Sequence, residues 1–227
     1  MSDGVVLSWS GGKDSALALW AMRQELGTPP TALLTTITEE DGRVGTHEVP
    51  VELIRAQAAA VGLPLVEIRV PKAPSNQVYE ERLAAALAAP PLVDVGTVAF
   101  ADLFLADIRA YREAQFAAIG RDCTFPLWGR DTTALADSFV AAGFAATLVS
   151  IDLSRLDPSF AGRAFDRDLL RDLPAGIDPC GENGEFHTFV YDGPCFASAV
   201  PCRVTTLEPY VAPAEYGGTR YCFARIV

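Results

Sequence analysis

Gly4-Val5-Val6-Leu7-Ser8-Trp9-Ser10-Gly11-Gly12-Lys13-Asp14-Ser15-Ala16-Leu17-Ala18-Leu19 is the stretch that decides the fold. A short apolar run bounded by glycine reads as a buried strand from Gly4 to Trp9. Helical spacing follows from Ser15 to Leu26, stopped by Gly27 and the Pro29-Pro30 pair. Between them lies a loop rich in serine and glycine. Adjacent glycines permit positive φ and let backbone N–H groups turn toward one point. The helix that starts there adds unpaired N–H groups and the positive end of its dipole. Ser10 and Ser15 supply hydroxyls and Lys13 a point charge. A polyphosphate suits such a loop.

The same rhythm continues outward. Thr31 to Thr38 reads as a strand, Val51 to Val61 as a helix and Leu65 to Val70 as a strand. Asn76 to Ala88 reads as a helix, Val93 to Phe100 as a strand and Ala106 to Ile119 as a helix. Alternating strands and helices predict an α/β fold, a parallel sheet with helices on both faces. In such sheets ligands sit at the carboxyl ends of the strands. The second half is less regular, with helices expected over 133–142 and 167–173. Strands are expected there over 145–151, 186–191, 199–207 and 220–227. A boundary near the Phe125-Pro126-Leu127-Trp128-Gly129 turn divides the chain into a nucleotide-binding domain, 1–125, and a smaller α+β domain, 126–227.

Composition limits the function. Half of the 227 residues are hydrophobic and 21% are charged, enough to build a core. No apolar run reaches the length of a membrane span, and the N-terminus lacks the pattern of a secretion signal, so a cytoplasmic protein is expected. Net charge is −11, spread as −6 over residues 1–120 and −5 over 121–227. Phosphate neutralisation along a nucleic acid needs clustered Lys and Arg, so a nucleic-acid partner is not expected. Five cysteines form no CxxC pair, which argues against zinc or dithiol chemistry.

The loop is not a Walker A motif. No glycine stands five places before Gly12, and Asp14 rather than Ser or Thr follows Lys13. Its glycines are adjacent, so it is not the Rossmann fingerprint either. Ser10-Gly11-Gly12-Lys13-Asp14-Ser15 resembles instead the pyrophosphate-binding loop of the adenine nucleotide α-hydrolase superfamily, the PP-loop ATP pyrophosphatases. That resemblance implies a HUP-type, Rossmann-like sheet and cleavage of ATP between its α and β phosphates. Gly181-Glu182-Asn183-Gly184-Glu185-Phe186-His187-Thr188 resembles a signature of the diphthine–ammonia ligase family within that superfamily. Phe100-Ala101-Asp102-Leu103, Tyr111-Arg112-Glu113 and Pro126-Leu127-Trp128-Gly129-Arg130 are similar to its middle motifs, with Ala101 where the family has glycine. His47 takes the place of a histidine after the family's second strand.

The implied reaction joins a carboxylate and ammonium to an amide, releasing AMP and pyrophosphate, with ATP and Mg²⁺ as cofactors. Substrate partners would be a small or protein-borne carboxylate and ammonium, and a homodimer stays open. Ser8 and Ser10 to Ser15 would bind the nucleotide, with Lys13 and Asp14 also catalytic. Asp14 either orients Mg²⁺ or caps the helix. Thr36 and Ile37 would meet adenine through backbone groups, and Asp102 would hold metal or ribose. Glu182, Glu185 and His187 form a catalytic cluster in which a histidine titrating near 6.5 takes a proton from ammonium. His47, Arg112, Arg130, Asn183 and Gly184 would bind substrate. Arg112 and Glu113 also read as a helix-surface ion pair. Two competing readings are a tRNA-modifying enzyme of the same superfamily and a nucleotide-binding sensor without turnover.

Overall fold

The computed structural model describes residues 4–45, 47–213 and 218–227. The first half runs β1 (Gly4–Ser8), α1 (Lys13–Gln24), β2 (Ala32–Thr38), β3 (Arg43–Val44), β4 (Val49–Pro50), α2 (Val51–Val61), β5 (Leu65–Val70), α3 (Asn76–Leu87), β6 (Val95–Ala99), α4 (Ala106–Ala118) and β7 (Asp122–Thr124). The second half runs α5 (Thr132–Ala141), β8 (Ala145–Asp152), α6 (Arg167–Asp172), β9 (Phe186–Asp192), β10 (Val204–Val211) and β11 (Arg220–Ile226), with a 3₁₀ turn at Pro158–Phe160.

Strands β5, β2, β1, β6 and β7 pair in that order and all in parallel. The short β3–β4 hairpin adds antiparallel to β2 at Ile37. Chain direction across the sheet reverses between β1 and β6, which opens a crevice at their carboxyl ends. Successive residues of a strand face opposite ways, and the core follows that rule. Val6, Leu34 and Val98 join Leu83, Leu87 and Phe116 of α3 and α4 in one core, while Leu7, Leu33 and Ala99 join Leu17, Met22, Ile54 and Ala58 of α1 and α2 in the other. Helices therefore cover both faces of the sheet.

The antiparallel sheet, ordered β10–β11–β8–β9, packs its buried face into the same core as α1 and α2. Backbone bonds tie the halves directly, with Val190 N–H donating to the Gly11 carbonyl at 2.9 Å. Among the described residues no helix is long and apolar enough to cross a membrane.

Five elements differ from the sequence-based expectation. Helix α1 starts at Lys13 rather than Ser15, so Lys13 and Asp14 belong to its first turn. Residues 199–203 form no strand: Pro201 has no N–H to give a ladder, and pairing begins only at Val204. The strands β3, β4 and β7 span two or three residues each, too short for any periodicity to show.

Candidate functional site

Each glycine of the loop has its own reason. Gly11 has φ of +80°, where a Cβ would also lie 2.6 Å from Gln57 Oε1 and Ile54 Cδ1. At Gly12 a Cβ would meet His47 Cε1 at 2.7 Å and the Thr188 carbonyl at 3.1 Å. Gly12 is the N-cap of α1 and offers no side chain to cap it. Lys13 N–H is taken by Thr188 Oγ1 at 2.9 Å, leaving the next first-turn N–H groups for a ligand. Ser15 Oγ donates to the Gly12 carbonyl at 2.8 Å, so its proton is spent inside the loop. Ser10 Oγ accepts from Gly12 N–H at 3.3 Å and keeps its own proton free.

Behind the loop, Gln57 is fully buried and saturated. It accepts from Trp9 Nε1 at 2.9 Å and donates to the carbonyls of Gly11 and Val190 at 2.9 and 2.6 Å. Nothing in its helical context marked it as special. Gln57→Leu should cost about 2–4 kcal/mol, because it strands the buried Trp9 N–H and takes a donor from two buried carbonyls. Urea unfolding measures this, and an unchanged midpoint would refute the role of Gln57.

A cavity of about 280 Å³ lies over the loop at the ends of β1 and β6. Ser8, Ser10, Lys13, Asp14 and Ser15 line it from the loop, and Ala101, Asp102 and Arg112 from β6 and α4. His47, Glu182, Gly184, His187 and Thr188 close it from the other side. Two residues that sequence reasoning passed over, Cys180 and Thr188, also face it; the thiol is pushed up to about 12 by burial and is inert.

Charge inside the cavity is arranged in pairs. Lys13 Nζ, on a side chain 3% exposed, sits 2.8 Å from Asp14 Oδ2. Burial opposes its charge, but Asp14 overcomes that and holds the ammonium above its usual pKa. Arg112 Nε lies 2.8 Å from Asp102 Oδ2, out of line for a hydrogen bond, while Nη2 donates to Oδ1 at 3.3 Å. Arg112 therefore pairs with Asp102, and the helix-surface partner of Glu113 is Arg109. Glu182 Oε1 accepts from Leu103 N–H at 2.7 Å. Burial, reinforced by Asp14 and Asp102 and opposed by that hydrogen bond, raises Glu182 to about 7.

The histidines are not the titrating groups expected. His47 and His187 lie against each other with centroids 4.7 Å apart and planes tilted by 39°. Burial lowers His47 to about 4 and, with His47 and Lys13 nearby, takes His187 well below its ordinary value. Both are neutral imidazoles in the working range, with His47 Nδ1 3.0 Å from the Thr188 carbonyl.

Five further candidates lie outside the lining of this cavity. Glu185 is 0% exposed and does not face the cavity. Its oxygens accept from Asn183 N–H and Nδ2 at 3.0 and 3.1 Å and from Asp178 N–H at 3.2 Å. Glu185 and Asn183 thus pin the turn that carries Glu182, and neither lines the cavity. Glu185→Gln would set an amide against those donors and cost about 1–3 kcal/mol. Thermal unfolding should show the loss, and full stability in that variant would sink this assignment. Arg130 pairs with Glu25, the C-cap of α1, at 2.7 Å, at the opposite end of that helix from the Lys13 loop. Thr36 and Ile37 lie outside the lining, and Ile37 is flanked by Arg69 of β5 and Val44 of β3. Among the described residues, no three His, Cys, Asp or Glu side chains converge as a metal site.

A parallel sheet whose reversal point carries a glycine-paired helix start, faced by Glu182 from the turn before β9, defines an α/β protein with a polar cavity at the carboxyl ends of its strands. A family model described as the diphthamide synthase N-terminal domain matches residues 3–122, and one described as the diphthamide synthase C-terminal domain matches residues 131–208. The chain belongs to the diphthamide synthase family. No curated protein matches it closely enough to count as a relative.

Proposed function

We propose that the chain is an ATP-dependent ligase that adenylates a carboxylate and amidates it with ammonia. The observation that carries this reading is the meeting of the Lys13 loop and Glu182 in one cavity. A carboxylate oxygen attacks the α-phosphorus, the bond to the β-phosphate oxygen breaks, and pyrophosphate leaves against the loop. Ammonia then attacks the acyl carbonyl, AMP leaves, and one proton is released. Lys13 and the first-turn N–H groups neutralise the departing charge, which is the main contribution a protein makes to such transfers.

Glu182 is the group fitted to take the proton from the attacking nitrogen, since a base with a pKa near 7 is half available at neutral pH. Asp14, a carboxylate lining the cavity from the first turn of α1, would hold magnesium. Bound there, the metal would supply further neutralisation of phosphate charge. In this reading residues 1–125 hold the nucleotide and 126–227 bring the acid–base group and the acceptor. Diphthine, or another carboxylate of that kind, is the acceptor.

The test is incubation with ATP, Mg²⁺, ammonium chloride and a panel of carboxylic acids. Ammonium-dependent AMP and pyrophosphate are expected. ADP and orthophosphate, or no turnover with any acid, would overturn the reading.

A further inference from the structure

Helix α4 covers little of itself: Phe116 is its one buried residue. Ile108, Tyr111, Gln115 and Ile119 follow at intervals of three or four residues and so share one stripe, which Phe104 extends at the helix start. The four hydrophobic members are each 36–42% exposed. Single exposed apolar side chains are ordinary, but a contiguous stripe marks a contact surface. Strand β10 also exposes apolar side chains, yet it carries a bulge near Val204 and Pro209 without an N–H, devices that blunt a sheet edge. The α4 stripe has neither proline nor lysine to protect it.

Two polar groups select what covers the stripe. Both polar atoms of the Gln115 amide are buried and make no hydrogen bond among the described residues, a costly state for a group that donates and accepts. Arg109 pairs with Glu113 and Arg112 with Asp102, so Asp107 is the one charge of α4 without an ionic partner among the described residues. Turned end for end about Tyr111, a second α4 matches the first. Ile108 comes level with the exposed Ala114, Phe104 with the exposed Ala118, and Gln115 with Asp107. Large side chains meet small ones. A turn of the Gln115 side chain carries its unbonded amide to that carboxylate. Apart from Asp107 the stripe is uncharged, so two chains of net charge −11 meet there with little repulsion at the contact.

We propose that the α4 stripe is the contact between two copies of this chain, packed antiparallel across a two-fold axis at Tyr111. Thirteen helical residues span about 20 Å, so the pair buries less than a standard interface of ~1,600 Å². A reversible dimer of about micromolar strength follows. It holds whatever reaction the nucleotide cavity carries out.

Sedimentation velocity of the full chain over rising concentration should show one chain passing to two. Association should be no weaker at about 0.5 M than at about 0.05 M sodium chloride, since salt screens the repulsion of two acidic chains. Ile108→Glu and Ile119→Glu should each weaken association at least about tenfold, and using two exposed positions, with circular dichroism on each, guards against a misfolded variant. Tyr111→Cys should form a disulfide-linked dimer under mild oxidation, whereas Ala117→Cys, facing away from the stripe, should not. The parent chain with its five native cysteines is the control. A chain that stays single at about 300 µM, a dimer unaffected by both glutamate variants, or equal cross-linking from position 117 overturns the proposal. So does a chain that is single by itself but binds a lysine–leucine amphipathic peptide at low salt and loses it in Ile108→Glu. That result gives the stripe to a basic partner.

Discussion

Lys13→Met should lower AMP formation about 10²–10³-fold, the range seen when one preorganised charge-stabilising donor is removed. The side chain is 3% exposed and its ammonium is fixed on both Asp14 oxygens, at 2.8 and 2.9 Å. It sits 5.6 Å from the centre of the Phe186 ring, so it has little freedom to turn away. A charge held like this needs no reorganisation when pyrophosphate departs. Removing it also leaves Asp14 facing the phosphates without a counter-ion. Lys13→Met/Asp14→Asn separates the two effects: relief of the repulsion should restore ATP binding but not rate. Initial rates of AMP formation and nucleotide affinity are the measurements. A rate within about tenfold of the parent in the single variant would remove the loop from the chemistry.

Glu182→Gln should abolish the rise of amide formation through neutral pH and at the same time stabilise the fold in alkaline buffer. The sign follows from proton binding. The folded carboxyl is raised to about 7 from an ordinary value of 4.5, so between those pH values the folded state holds a proton that the unfolded state has lost. Stability then falls as pH rises through that window, by at most about 1.4 kcal/mol per pH unit. The upper bound above pH 7 is about 3 kcal/mol, reduced by the solvent that reaches this partly exposed group. The amide keeps an oxygen for Leu103 N–H, so the variant sheds the cost without losing that bond. Melting curves should coincide at pH 4.5, and the variant should melt higher at pH 8. A variant less stable at pH 8, or one with an unaltered rate profile, would show that Glu182 is not the buried base.

Much of this fold could be read from punctuation. Helix α2 begins and ends where expected because Pro50 opens it and Gly62, at φ 70°, closes it. The loop was legible because adjacent glycines between a strand and a helix have few other uses. Direction of side chains was not. Glu182 and Glu185 are three residues apart in one turn, yet one carboxylate faces the cavity and the other the interior of its own turn. The histidines were visible as residues but not as a contacting, desolvated pair, since His47 and His187 meet only through the tertiary fold. Gln57 carries no local signal, and Thr188 only its place at the end of the Gly181–Thr188 motif; their partners lie 46 and 175 positions away.

The docking of β9 on the loop, through Lys13 N–H to Thr188 and Val190 N–H to Gly11, has a consequence for how the chain works. A clamshell that swung the carboxy-terminal half outward would undo the very turn that grips the nucleotide. Traffic of reactants must therefore pass through standing portals, and neither half, cut loose as a separate polypeptide, would inherit a finished grip.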